Sequence, residues 1–115
     1  MKYKDYSWDF RDSDTKELTH CFHAYPAMMI PQIPRRLLQK YGSSAKTLFD
    51  PYCGSGTSLV EANVKGINAI GTDLNPLARL IAKTKTTPID IQTLNLYLTT
   101  YSSIAEYFDL GIQKQ

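Results

Sequence analysis

The chain has 115 residues, 43% of them hydrophobic and 21% charged, with a formal net charge of +2. That balance suits a globular chain rather than a disordered one, and a charge so small does not by itself argue for nucleic acid. No apolar run reaches membrane-spanning length, and the start Met1-Lys2-Tyr3-Lys4-Asp5-Tyr6 lacks the apolar centre of a secretory leader. The two cysteines, Cys21 and Cys53, share no metal-type spacing. The expectation is a soluble protein of the reducing cytoplasm with no membrane partner and no metal.

Residues 1–18 are polar, charged and aromatic without a period, and read as an irregular arm in which Trp8 and Phe10 pack on another part of the molecule. Prolines at 26, 31 and 34 exclude a long helix over residues 19–34 and imply an extended, turning segment. Ile33, Leu37, Leu38 and Tyr41 form a helical stripe, with Pro34 suited to a first turn and Gly42 to a C-terminal cap. Arg35, Arg36 and Lys40 make a small basic patch, read as a solvated helix face.

Thr47-Leu48-Phe49-Asp50 is the first candidate strand, apolar like a buried parallel strand and ending in an acid. A glycine-rich bend follows, then a short helix over residues 58–65 that stops at Gly66. Residues 68–73 read as a second strand, again ending in an acid, and Asn75 caps a helix that begins at Pro76 and breaks in the stretch 84–88. A last helix, roughly residues 91–110, carries Leu94, Leu98, Tyr101, Ala105 and Phe108 on one stripe, widened by Leu96, Tyr97, Ile104 and Tyr107. So broad a face calls for burial, either on the chain's own sheet or by a partner chain.

Two strands and one crossover make a β-α-β unit. Doubly wound α/β enzymes carry more strands than this, so the chain reads as the opening part of a larger α/β domain. Its ligand site is expected where the strands end. Gly54 and Gly56 let the backbone approach a ligand closely, and the helix that follows offers unpaired N–H groups. Asp50 and Asp73 end adjacent strands about twenty residues apart, as in dinucleotide-fold fingerprints. A carboxylate at the end of the second strand accepts hydrogen bonds from both hydroxyls of a ribose, the role assigned to Asp73; a turn-forming Asp before Asn75-Pro76 is the competing explanation. Leu59 stands where a third glycine of a dinucleotide loop would be, which favours a ligand without a pyrophosphate over NAD.

The run Asp50-Pro51-Tyr52-Cys53-Gly54-Ser55-Gly56-Thr57 resembles the D-P-F-x-G-S-G-T motif of the amino-group DNA methyltransferases. The flanks agree: Leu59-Val60-Glu61-Ala62, then Gly66 through Gly71-Thr72-Asp73-Leu74-Asn75-Pro76-Leu77-Ala78. Upstream, Thr19-His20-Cys21-Phe22-His23-Ala24-Tyr25-Pro26-Ala27 with Ile30-Pro31 resembles the family's N-terminal cofactor motif. The resemblance covers about residues 19–89, with Tyr52 for the usual Phe and Met28 where a Lys is common. It implies a Rossmann-like methyltransferase fold, incomplete, in which residues 1–18 are an arm, 19–89 an S-adenosylmethionine-binding α/β unit and 90–115 an amphipathic helix.

By that resemblance Tyr25, Pro26 and Ala27 line the methionine end of S-adenosylmethionine. Asp50, Pro51, Tyr52, Gly54, Gly56 and Thr57 form the floor, Asp73 holds the ribose, and Leu74 and Asn75 lie beside the adenine. The family transfers a methyl group to adenine N6 or cytosine N4 of DNA through an S/N/D-P-P-aromatic element, and these 115 residues contain no Pro-Pro pair. The catalytic and target-recognition elements are therefore expected from a second polypeptide, with no catalytic residue assigned here. His20 and His23 have no third ligand at metal spacing, and Cys53 is read as loop packing rather than as a nucleophile. The alternatives are a non-catalytic remnant or interaction module that keeps the fold, and a fragment of an RNA methyltransferase.

Overall fold

The computed structural model describes residues 3–21, 25–26 and 28–112, the last six of them by backbone alone. Ala27 and His23, and the side chains of Tyr107 and Phe108, lie outside the described residues. Two 3-10 turns, Tyr6–Trp8 and Leu18–Cys21, precede α1 (Gln32–Tyr41), β1 (Thr47–Asp50), α2 (Thr57–Val64), β2 (Asn68–Gly71), α3 (Pro76–Thr86) and α4 (Ile91–Ile112).

The strands pair in parallel, with Thr47 opposite Asn68 and Asp50 opposite Gly71. The ladder runs past both ends: Asn68 N–H donates to Lys46 O at 3.1 Å, Thr72 N–H to Asp50 O at 3.0 Å and Cys53 N–H to Thr72 O at 2.9 Å. This is an α/β arrangement in which α2 makes the crossover, as the alternation of strand and helix patterns implied.

Helix α2 is the centre of packing. Leu48 and Ala69 point from the sheet toward it; Leu38, Ala62 and Ile67 fill one side of the layer and Cys53, Leu59 and Ala82 the other. Ala62 and Ala78 are fully buried, and residues this small let the helices approach closely. Gly71 belongs to the same layer: a Cβ there would lie 2.7 Å from Leu59 Cδ1 and 2.9 Å from Cys53 Sγ, so β2 passes beneath α2 only without a side chain. The caps fall where the sequence put them. Gly42 N–H returns to Leu38 O at 2.9 Å, and Asn75 Oδ1 accepts from Leu77 N–H at 3.0 Å with Pro76 opening α3.

Two expectations need correction, and one open alternative narrows. The first strand is not buried on both faces: α1, α2 and α3 all stack on one side, which leaves the cross-strand pair Phe49 and Ile70 exposed on the other. Of the two alternatives left open for the last helix, packing on the chain's own sheet is not seen among the described side chains, since Ile91, Leu96, Leu98, Tyr101 and Ile104 are all exposed. The basic patch is not a solvated face either. Arg36 lies 4.0 Å from the Trp8 ring centroid and donates to Ser7 Oγ at 2.9 Å, fastening the arm to α1, while Arg35 turns inward. Trp8 and Phe10 meet edge to face, their centroids 6.3 Å apart, so the aromatics of the arm do pack.

Candidate functional site

Both strands deliver an acid to the same edge of the sheet. Asp73 Oδ2 accepts from Gly54 N–H at 3.0 Å and Oδ1 from Asn75 N–H at 2.8 Å. A carboxylate has about four acceptor positions, so two remain for a ligand. Asp50 Oδ1 accepts from Tyr52 N–H at 3.1 Å in a local turn, and Pro51 O accepts from the Thr72 hydroxyl at 2.8 Å, which ties the bend to the end of β2.

The two glycines of the bend do different work. Gly54 has φ +50°, and a Cβ built on it meets nothing within 4 Å: its side-chain direction is open space. Gly56 has φ +85° and caps α2, but its Cβ would lie 2.8 Å from Ala82 Cβ, so its missing side chain serves the contact of the bend with α3. Only Gly54 leaves room for a close approach by a ligand.

A hollow of about 100 Å³ lies against the bend, with Tyr25, Met28, Asp50, Tyr52, Gly54 and Thr57 among its walls. Tyr25 arrives from the proline-rich segment, and Asn75 Nδ2 donates to its hydroxyl at 2.8 Å, so one asparagine caps α3 and holds the upstream element. Tyr52 and Leu74 are 85% and 97% exposed, which leaves both apolar surfaces unclaimed at the site. Pro26 is exposed beside Tyr25, and Pro51 is exposed in the bend. Eleven of the twelve expected site residues therefore fall on the linked bend, strand end and segment; the twelfth, Ala27, is outside the described residues.

Cys53 is buried against Leu59 and Ala82, and burial, with Asp50 and Asp73 nearby, pushes its thiol above the ordinary range. A protonated, packed thiol is a poor nucleophile. Among the described residues no three His, Cys, Asp or Glu side chains gather as a metal would require.

The sequence reading missed Glu61. It is 1% exposed within α2, yet its carboxylate is fully engaged: Arg35 Nε donates to Oε2 at 2.9 Å, Arg35 Nη2 to Oε1 at 2.8 Å, and His20 Nε2 lies 3.0 Å from Oε1. Burial alone would raise the Glu61 pKa, but the hydrogen bonds from Arg35 and His20 outweigh it and hold the carboxyl below its ordinary value. Burial lowers the His20 pKa against the pull of Glu61, so the neutral ring donates through Nε2. Lys85, also buried, is pushed down by desolvation, and its Nζ has no partner among the described residues. The available signal was an acid inside the apolar turn Leu59-Val60-Glu61-Ala62, on a helix that the fold had to bury.

The comparisons with known proteins all point to methyltransferases, most of them Type II. The family model N6_N4_Mtase, described as DNA methylase, matches residues 2–84. Type II methyltransferase M.MvaI of Kocuria varians is 49% identical over 89 residues, 75% of this chain and 20% of that protein. Type II methyltransferase M.MjaII of Methanocaldococcus jannaschii is 39% identical over 79 residues, 69% of this chain and 15% of its own length. A tRNA (guanine(10)-N2)-dimethyltransferase of Methanothermobacter thermautotrophicus is 35% identical over 52 residues, 44% of this chain and 16% of the relative. The chain spans about a fifth or less of each of these proteins. With the family model matching from the arm into α3, well over half of its length, the chain belongs to the DNA methylase family.

Proposed function

We propose that this chain is the cofactor-binding portion of a site-specific DNA methyltransferase that moves a methyl group from S-adenosylmethionine to an exocyclic amino group of adenine or cytosine. The observation that carries the reading is the Asp73 carboxylate, held on Gly54 N–H at 3.0 Å where two parallel strands end together. Open α/β sheets bind ligands outside the carboxyl ends of their strands.

The residues present fit the cofactor. Asp73 retains acceptor positions for a ribose diol, and the open direction at Gly54 admits a ligand against the backbone. Tyr25, Pro26 and Ala27 would flank the methionine end. Asp50, Pro51, Tyr52, Gly56 and Thr57 would support it from the bend and the first turn of α2, whose first N–H groups have no intrahelical partner. Leu74 and Asn75 would lie beside the adenine. The bound cofactor supplies an electrophilic methyl group; the residues of this chain hold and orient it.

A hollow of about 100 Å³ is smaller than the roughly 300 Å³ at the low end of ordinary small-molecule sites, so these residues supply one wall. The element that accepts hydrogen bonds from the target amino group, and the surface that reads DNA, belong to a second polypeptide or a further segment. The target base must leave the helical stack to reach the methyl group. This division of labour agrees with a chain that spans a fifth or less of its relatives.

Calorimetry with S-adenosylmethionine tests the reading. The chain should bind, Asp73→Ala should abolish the heat, and addition of a polypeptide carrying the Pro-Pro-aromatic element should allow labelled methyl transfer to DNA. Binding that is absent, or indifferent to Asp73→Ala, overturns it. The apolar surface that α4 leaves uncovered favours a second reading, a non-catalytic interaction module, which predicts no cofactor heat.

A further inference from the structure

The segment between His20 and Arg35 is tied at both ends to one buried carboxylate. Glu61 Oε1 meets His20 Nε2 at 3.0 Å and Arg35 Nη2 at 2.8 Å, while Oε2 takes Arg35 Nε at 2.9 Å. Between these anchors run Tyr25, whose hydroxyl accepts from Asn75, and Met28 and Met29, which line the hollow at the bend. A second hollow of about 90 Å³ behind the segment is walled by His20, Met28, Met29 and Thr57, so the anchor and the candidate site share side chains.

From this geometry we infer that Glu61 is a positioning residue for the cofactor site: by holding His20 and Arg35 it acts as a staple that sets where the described residues Tyr25, Met28 and Met29 stand against the bend. The inference rests on the cofactor reading given above. The Glu61 carboxylate hydrogen-bonds to Arg35 and His20, neither of them an expected ligand contact. It acts from α2, the helix that the bend opens into, and so relates the segment to the same rigid element that carries Thr57. Arg35 also meets Glu17 Oε2 at 3.0 Å, so the staple reaches back into the N-terminal arm. Holding Tyr25, Met28 and Met29 in place in advance removes ordering entropy that ligand binding would otherwise have to supply.

The test separates the staple from the cofactor reading. Two variants of His20 are compared in the full chain: His20→Leu removes a donor to Glu61, and His20→Gln keeps an N–H donor at similar reach. Hydrogen exchange of residues 28–33 reads the segment without any ligand, calorimetry reads S-adenosylmethionine, and thermal unfolding checks the fold. If the fraction of chains with an ordered segment falls to about a tenth, the apparent Kd rises about tenfold. The expected result is faster exchange at residues 28–33 and that loss of affinity in His20→Leu, with His20→Gln near the parent in both. Unchanged exchange in a folded His20→Leu overturns the staple, as does equal loss in both variants. A parent chain that binds no S-adenosylmethionine sinks the cofactor reading, while the exchange measurement still decides the staple. Should His20→Leu fail to fold, Arg35→Lys, which keeps the charge but loses the two-point grip on Glu61, is read in the same two measurements with the same expected direction.

Discussion

Replacing Gly56 with alanine puts a methyl group 2.8 Å from Ala82 Cβ and 3.0 Å from Ala82 Cα, on a backbone at φ +85°. The left-handed conformation alone costs a residue with a Cβ about 1–2 kcal/mol. Crowding a packed helix contact adds about 1–3 kcal/mol, because the atoms in the way are the start of a side chain and the main chain of α3. Gly56→Ala should therefore lose about 3 kcal/mol, a large share of the stability of a small domain. Gly54→Ala is its control. There φ is +50° and no atom lies within 4 Å, so only the conformational cost of about 1–2 kcal/mol applies. Urea unfolding followed by circular dichroism reads both, and calorimetry with S-adenosylmethionine reads the site. The order should reverse between assays: Gly56→Ala the less stable, Gly54→Ala folded but impaired in binding because its methyl group occupies the open approach. If Gly54→Ala is the more damaging to stability, the bend is not built as described and the division between the two glycines fails.

Acid should weaken the fold in two windows. The folded-state pKa of His20 is lowered, so below the ordinary imidazole value of 6.5 the unfolded chain takes up a proton that the folded chain refuses, and stability falls as pH drops. The Glu61 pKa is lowered as well, so a second loss begins below its ordinary value of 4.5 and runs down through the folded value. Urea midpoints followed from pH 7 down to about pH 3 check this. His20→Leu should flatten the upper window and, by removing one of the hydrogen bonds that hold Glu61 down, shrink the lower one, leaving the part due to Arg35. Leu48→Ala should cost about 2–3 kcal/mol by opening the layer under α2, whereas Phe49→Thr, one residue on and facing the uncovered side, should stay within about 0.5 kcal/mol. Equal losses at 48 and 49 would mean that both faces of the sheet are covered.

What was legible in the sequence was local. The acid-ended strands, Asn75 with Pro76, Gly42 after its helix and the glycine bend each carry their instruction within a few residues, and each element lies within a residue or two of its expected place. Linkages between distant residues were harder to read. Nothing near Asp73 in the chain says that its oxygen takes the N–H of Gly54, although the shared strand-end position suggested that they meet. Glu61, His20 and Arg35 lie in three separate segments, and each alone has an ordinary explanation: an exposed acid, a lone histidine, a solvated arginine. Their meeting follows only once α2 is known to be the buried centre, because a carboxylate forced into that layer must find donors. Gly71 was silent for the same reason, since its constraint comes from Leu59 and Cys53 above it.

The uncovered side of the sheet bears on the site as well as on stability. Phe49 and Ile70 face each other across the strands directly before Asp50 and Gly71, the last pair of the ladder. Parallel strands are normally covered on both faces, and two strands held from one side have little to resist fraying at the edge where the acids stand. Fully burying an apolar side chain of this size is worth about 1.5–3 kcal/mol, so covering the exposed halves of both would contribute about half of that for each. A layer laid over Phe49 and Ile70 would thus tighten the strand ends that hold Asp50 and Asp73 without touching the cofactor. If the proposed site holds S-adenosylmethionine, its affinity and burial of this face are linked quantities: whatever covers the face would bind better to a chain already holding the cofactor, by the same factor that it improves cofactor binding.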